Sequence, residues 1–184
     1  MKLTAQHLIY IVVIGIVIQS CAGSLRSVGN PYYQESPEPK VSQEYDEFKD
    51  HYIYRASPAQ IHRKPGHTIN MSAFYLCGQE NCAPGLVTVR LTSLANNWQY
   101  LDYREINIIA DERIYSYNPD HTGDVIDSYS VLEQMSIVLE ASEYLNIFTS
   151  DSIRIRIGNI EPNFKQKPIS LRQMAQNIQK SIER

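Results

Sequence analysis

Two of the three cysteines lie close together in a short polar segment, Cys77-Gly-Gln-Glu-Asn-Cys82. Their spacing suits a disulfide that closes a small loop at a hairpin tip, in a compartment where disulfides persist. We predict a structural disulfide there, worth only about 2 kcal/mol because the closed loop is short. A redox-active pair would have Cys-x-x-Cys spacing, and a zinc site would need two further ligands at recognisable spacing, so neither is favoured.

The remaining candidates for metal binding are the histidines and one acidic segment. Four histidines lie beyond residue 50: His51, His62, His67 and His121. They form no H-x-x-x-H or H-E-x-x-H pattern, so we interpret them as solvated loop residues. Residues 118–127 are rich in the oxygen ligands that calcium prefers, but they lack the EF-hand order and its final glutamate. We predict a mobile polar loop over 118–127, with no metal site and no cofactor.

Signals for catalysis and for ligand stacking are weak. The sequence has no Gly-x-Ser-x-Gly motif, and no Ser/His/Asp cluster can be assembled from it, so we predict no catalytic residue. Trp98 and the 13 tyrosines have the chemistry to stack on sugar rings, but we favour cross-strand pairing within a sheet. Arg154 and Arg156 could bind an anion, although two outward arginines are commonly a solvated strand face.

The amino-terminal segment has the layout of an export signal. Lys2 supplies positive charge, and the apolar run from Leu8 to Ile18 is too short to span a bilayer, which takes about 20 residues. The segment Ile18-Gln19-Ser20-Cys21 then resembles the lipobox of bacterial lipoproteins, which has an aliphatic residue, two small residues and an invariant cysteine. The resemblance implies that signal peptidase II removes residues 1–20 and that Cys21 carries a diacylglyceryl group.

Two other outcomes of export remain open. Ser20 and Ala22 are small enough for ordinary cleavage after Ala22, which would release a secreted protein, and an uncleaved leader would act as an anchor. All three outcomes place the domain outside the cytoplasm. The two or three acyl chains of a lipoprotein would hold it at the membrane effectively permanently. Because residue 22 is not aspartate, the resemblance implies the outer membrane, facing the periplasm, in a Gram-negative host.

Composition separates a tether from a domain. Residues 21–47 are rich in Ser, Pro and Glu and have few aliphatic side chains, so they cannot offset the entropy of ordering. We predict a flexible tether spanning about 30 Å, followed by a β-rich domain over 48–184. The net charge of −3, with scattered lysines and arginines, argues against nucleic-acid binding.

Short alternating runs predict antiparallel strands between residues 69 and 157. The predicted strands are 69–76, 86–94, 98–101, 106–110, 113–117, 135–139 and 152–157. In the run 86–94, alternate residues from Val87 share an apolar face and those from Thr88 share a polar one. Residues 142–149 predict a short helix. The order Ser170-Leu-Arg-Gln173 has the form of a capping box and predicts a final amphipathic helix.

The predicted fold is mainly β: an antiparallel β-sandwich or curled sheet with a short helix and a C-terminal amphipathic helix. The order of these elements over 46–184 resembles exported bacterial domains with no known activity. We expect a lipid-anchored envelope protein with a non-catalytic binding or structural role and an envelope protein or glycan as partner. Two alternatives stay open: a carbohydrate- or peptidoglycan-binding module, which a surface row of tyrosines would indicate, and a hydrolase whose site is scattered through the fold.

Overall fold

The structure is a computed structural model that describes residues 38–162 and 168–184. The predicted leader, Cys21 and most of the predicted tether therefore lie outside the described residues. The described part is mainly β, with two antiparallel sheets and two helices, which confirms the predicted fold class. Within these ranges, neither helix has the length and apolar character needed to cross a membrane.

The larger sheet contains six strands. They are β1 (Val41–Asp46), β2 (His51–Lys64), β3 (His67–Cys77), β4 (Leu86–Ala95), β7 (Asp120–Asp127) and β8 (Ser130–Glu140). Their order across the sheet is β1-β2-β3-β4-β8-β7, and every neighbouring pair is antiparallel. The edges of this sheet are therefore β1 and β7.

The smaller sheet and the helices complete the fold. Strands β5 (Ile106–Ala110), β6 (Arg113–Tyr117) and β9 (Ile153–Ile157) form the second sheet in the order β6-β5-β9. Helix α1 spans Ala141–Thr149 and helix α2 spans Ile169–Ile182. Buried side chains from both sheets and both helices belong to one continuous hydrophobic core.

Alternation along the strands gives the six-stranded sheet two unlike sides. In β4, Val87, Val89 and Leu91 are buried, whereas Thr88 and Arg90 are only half-buried. This is the division that the alternating sequence predicted. The buried side faces the core. We call the opposite side the open face, because its side chains from β2, β3, β4, β7 and β8 are largely exposed or half-buried.

Helix α2 closes the core as its apolar stripe predicted, but the capping-box prediction was wrong. The helix begins at Ile169, so Ser170 lies inside its first turn and makes no capping hydrogen bond. Instead the Ser170 hydroxyl donates to the Ser57 carbonyl at 2.7 Å. Strand β2 bulges at this point, next to Pro58, so the Ser57 carbonyl is available to accept this hydrogen bond.

The domain begins earlier than composition predicted. Val41–Asp46 fell within the predicted tether, but these residues form the edge strand β1 and pair with His51–Ala56 of β2. An edge strand is held by backbone hydrogen bonds on one side, and polar side chains are favoured there, so a Ser- and Glu-rich segment can occupy it. Tyr45 also packs on Tyr52, with ring centroids 4.9 Å apart.

Two other local predictions differ from the structure, and one strand was not predicted. The segment predicted as a polar loop over 118–127 contains β7, whose acidic residues again suit a sheet edge. Residues 98–101 form no strand, because the backbone N–H groups of Gln99 and Tyr100 donate to a side chain, the Glu133 carboxylate. Strand β2 was not predicted, since its bulge and Pro58 interrupt the alternation.

Candidate functional site

A cluster of polar side chains lies on the buried side of the six-stranded sheet. The strand register aligns one row of residues across five strands: His62, Ile69, Ser93, Glu133 and Gly123. His67 lies at the start of β3, beside this row, and Tyr100 reaches it from the segment that follows β4. The cluster therefore combines residue types that can perform acid–base chemistry.

The centre of the cluster is His67. Its Nε2 atom lies 3.1 Å from the Tyr100 hydroxyl and 3.3 Å from the Ser93 hydroxyl. Burial, followed by the proximity of His62 and Lys64, lowers the pKa of His67 to about 4, so its ring is neutral at pH 7. The prediction of solvated loop histidines was wrong, because all four lie in strands and the His67 side chain is buried.

This arrangement is closed to substrates in the present conformation. Ser93 and Tyr100 are fully buried and His67 is 5% exposed, so a substrate could not reach the hydroxyl or the ring. Burial also raises the pKa of Tyr100, which keeps the phenol protonated. The contacts among the three side chains satisfy His67 Nε2 and the two hydroxyls, whereas the buried His67 Nδ1 has no hydrogen-bond partner among the described residues.

Glu133 holds the segment after β4 against the sheet. Its side chain is completely buried, and its two carboxylate oxygens accept the backbone N–H groups of Gln99 and Tyr100 at 2.8 Å each. The His121 Nε2 atom lies 3.8 Å from one of these oxygens. The Trp98 ring, next to these hydrogen bonds, packs directly on Gly123. A Cβ atom at position 123 would lie 2.5 Å from the nearest ring carbon of Trp98. Glycine is therefore required at position 123 for this contact.

The described ranges hold no group of three or more His, Cys, Asp or Glu side chains that could bind a metal ion. The rings of His62 and His67 are 5.1 Å apart, but they supply only two ligands. The acidic residues considered for calcium lie along β7, and Asp120 and Asp124 on this strand point towards the open face rather than around a common centre.

The cysteine pair lies at one end of the same sheet. Cys77 ends β3, Cys82 lies in the following loop, and the structure bonds their sulfur atoms, with Cα atoms 5.9 Å apart. The loop is also fixed to the neighbouring strands, because the Asn81 N–H donates to the Tyr54 hydroxyl at 2.9 Å. The bond joins the same two residues that the spacing pairs, and it closes the loop that follows β3.

The tyrosines pack mainly within the fold. Tyr54 and Tyr75 are directly opposite each other on β2 and β3, stacked with ring centroids 4.7 Å apart, and both are buried. Cross-strand pairing was the favoured prediction, and these two residues confirm it. Tyr45 and Tyr129 are the described tyrosines that are largely exposed, and they lie on different hairpins. They therefore do not form the surface row that a glycan-binding module would present.

An apolar patch crosses four strands of the open face. Its members are Ile53, Phe74, Leu76, Leu86 and Val138, of which Leu76, Leu86 and Val138 are 52%, 54% and 54% exposed. Ile53 lies directly opposite Leu76 on the neighbouring strand. Phe74, Thr88 and Val138 occupy one row across three adjacent strands. The guanidinium carbons of Arg55 and Arg90 lie 6.0 and 5.4 Å from the Phe74 ring centroid. The patch thus combines apolar surface with cations stacked on an aromatic ring.

Charged side chains of both signs lie on the open face. Strand β2 carries Arg55 and Arg63, the edge strand β7 carries Asp120 and Asp124, and the other edge strand, β1, carries Glu44 and Asp46 on the same face. Arg55 forms a weak surface ion pair with Glu44 at 3.9 Å. Arg63, Asp120 and Asp124 take part in none of the ion pairs formed between described residues.

Sequence reasoning identified the polar side of β4 but missed the patch on the open face. The signal was partly present, since the alternation in residues 86–94 already separates Leu86, Thr88 and Arg90 from the buried side. What alternation could not supply is the pairing register that brings Leu76 and Val138 to the same surface. The exposed arginines of β9 were predicted, and Arg154 and Arg156 are indeed exposed, with Arg154 paired to Glu161 at 3.4 Å.

No protein-family model matches the chain, and neither the curated proteins nor the solved structures contain a match to it. The grounds for assigning a function are therefore the residues and the geometry described above.

Proposed function

We propose that this chain is an exported envelope protein, anchored by a lipid on Cys21, whose β-rich domain is a non-catalytic binding module. The observation that carries the binding role is the open face. It presents an apolar patch and unpaired charges of both signs, and exposed apolar patches of this kind mark sites of protein interaction. An envelope protein is the partner class that fits such a face.

The case for export and anchoring comes from the amino-terminal residues and the cysteine chemistry. The order Ile18-Gln19-Ser20-Cys21 has the form of a lipobox. The Cys77–Cys82 disulfide suits an oxidising compartment outside the cytoplasm. Because β1 begins at Val41, the tether would comprise residues 22–40, with a coil-like span of about 24 Å.

The two alternative functions have less support. A hydrolase would need an accessible nucleophile, and Ser93, which lies beside His67, is fully buried. A glycan-binding module would be favoured by an exposed row of aromatic rings, whereas Tyr54 and Tyr75 stack inside the fold. Neither arrangement favours its function over protein binding at the open face.

Site-specific photo-crosslinking in growing cells tests the binding role. A benzophenone amino acid at Val138 should give a discrete crosslinked protein, because this exposed position lies within the apolar patch. The matched control is Ile114, which is 67% exposed on the other sheet. Crosslinks at Ile114 equal to those at Val138, or none at Val138, would contradict a binding role for the open face.

Fatty-acid labelling tests the anchor separately. Radiolabelled palmitate should enter the wild-type protein, and Cys21→Ser should abolish the labelling, since only a thiol can accept the diacylglyceryl group. Ser20 and Ala22 keep their small side chains in this variant, so a soluble product cut after Ala22 is expected. A soluble wild-type protein that starts at Gly23 would show ordinary secretion instead.

A further inference from the structure

We propose that the open face binds a second copy of this chain, in a face-to-face dimer whose two-fold axis runs parallel to the strands. The inference rests on the proposed binding role of the open face and names its partner. In such a dimer the open sides of two six-stranded sheets pack as the two layers of an aligned sandwich, about 10 Å apart. Each copy would then bury both sides of its larger sheet.

Arg63 on β2 and Asp124 on β7 are placed to pair between two copies. A two-fold axis parallel to the strands places the β2 side of one copy over the β7 and β8 side of the other. Arg63 and Asp124 lie in the same row of the sheet, the row that runs through Thr68, Leu94 and Leu132. The axis therefore brings Arg63 of each copy towards Asp124 of the other, and two equivalent ion pairs form.

The apolar patch selects the same axis. Its residues lie at the end of the open face that contains Leu76 and Leu86, while Arg63 and Asp124 lie at the opposite end. Rotation about an axis parallel to the strands keeps each end at the same height, so one patch meets the other patch. An axis perpendicular to the strands would instead set the patch against the charged end, and it would set Arg63 opposite β2 of the second copy. Both observations thus favour a single arrangement.

The area of the face is sufficient for a stable dimer. Six strands about 4.8 Å apart span roughly 24 Å, and the positions from Leu86 to Leu94 span roughly 27 Å. Each copy therefore contributes roughly 650 Å², or about 1,300 Å² for the pair. Specific protein interfaces bury about 1,200–2,000 Å² in total.

The test is a reciprocal charge reversal in the full chain, followed by sedimentation equilibrium in a density-matched non-ionic detergent. Arg63→Asp sets an acidic side chain opposite Asp124 of the other copy, and Asp124→Arg sets a basic side chain opposite Arg63 of the other copy. Each variant alone should dissociate at least tenfold more readily than the wild type at low salt. An equimolar mixture of the two should restore a dimer, because each contact then joins opposite charges. The matched controls, Arg156→Asp and Asp151→Arg, change exposed residues away from the open face and should leave the dimer unchanged.

The outcomes separate this inference from the proposed function. A wild-type protein that stays monomeric, or variants whose mixture fails to restore the dimer, would overturn the dimer. If the two controls dissociate as readily as the open-face variants, the dimer uses another surface and the inference also fails. Crosslinking at Val138 to a different protein would support the binding role while overturning self-association. The absence of any crosslink at Val138 would remove both.

Discussion

Replacing the buried Glu133 with glutamine should destabilise the fold more than any other change of one atom in the polar cluster. The two carboxylate oxygens accept the backbone N–H groups of Gln99 and Tyr100, each at 2.8 Å. Glutamine keeps one acceptor oxygen but sets an NH₂ group against the second N–H. One hydrogen bond to a charged acceptor is lost, at about 1.5–3 kcal/mol, and a buried donor is left unsatisfied, at about 1–3 kcal/mol. Relief from burying a charge offsets part of this loss, so we expect about 3 kcal/mol.

Urea unfolding measures the loss directly. With a slope of about 1.5–2 kcal/mol per molar, a loss of about 3 kcal/mol lowers the midpoint by roughly 1.5–2 M. The single tryptophan supplies a second measurement, because Trp98 precedes the two clamped residues. Its quenching by acrylamide should increase in Glu133→Gln if residues 98–100 loosen. Glu105→Gln, at an exposed position after the same segment, should change neither quantity.

Two results would refute this account of Glu133. A midpoint within about 0.3 M of the wild type would show that the two hydrogen bonds contribute little net stability. A large loss without any change in Trp98 quenching would show that the carboxylate stabilises something other than the segment it contacts.

Three further predictions concern acid stability, the cysteine pair and the closing helix. Burial lowers the pKa of His67 to about 4, from about 6.5 in the unfolded chain. The unfolded state therefore takes up this proton first as the pH drops, and the free energy of unfolding decreases between pH 6.5 and pH 4 by up to about 3 kcal/mol. His67→Gln should flatten urea midpoints across that window, and an unchanged slope would contradict it. Non-reducing digestion and mass spectrometry should find Cys77 linked to Cys82, with a loss of about 2 kcal/mol on reduction, whereas alkylated thiols at both positions would end this prediction. Met174→Ala, in the buried stripe of α2, should lower the free energy of unfolding by about 2–5 kcal/mol. Ile182→Ala changes a side chain that is 55% exposed and should lower it by under about 1 kcal/mol. Equal losses in the two variants would mean that α2 is not docked as described.

Local periodicity was sufficient to predict most of the fold. The alternation of Val87, Val89 and Leu91 with polar neighbours indicates a strand with one buried side, and the repeat of Leu171, Met174 and Ile178 indicates a helix with one buried stripe. Both patterns depend on neighbours within a few residues, so they can be interpreted without the tertiary structure.

The features that sequence reasoning missed depend on partners far along the chain. Edge strands β1 and β7 form because β2 and β8 offer unpaired backbone groups, which their own composition does not reveal. The buried His67 contacts the Tyr100 and Ser93 hydroxyls through its Nε2 atom, and both partners come from other elements. The open face likewise depends on register, since one residue of slip would turn Val138 to the core side.

The hydrogen bond from Ser170 to Ser57 also has a consequence for the time course of folding. These residues lie 113 positions apart, and they join the closing helix to an early strand. At synthesis rates of about 5–20 residues per second, roughly 6–23 s separate the appearance of the two serines. During that interval the strands around Ser57 exist without the helix that covers their apolar side. Contacts of such long range also slow the final closure itself, because a long loop must be ordered before they form. The apolar surface that α2 covers therefore stays open to solvent until the end of the chain is available to fold.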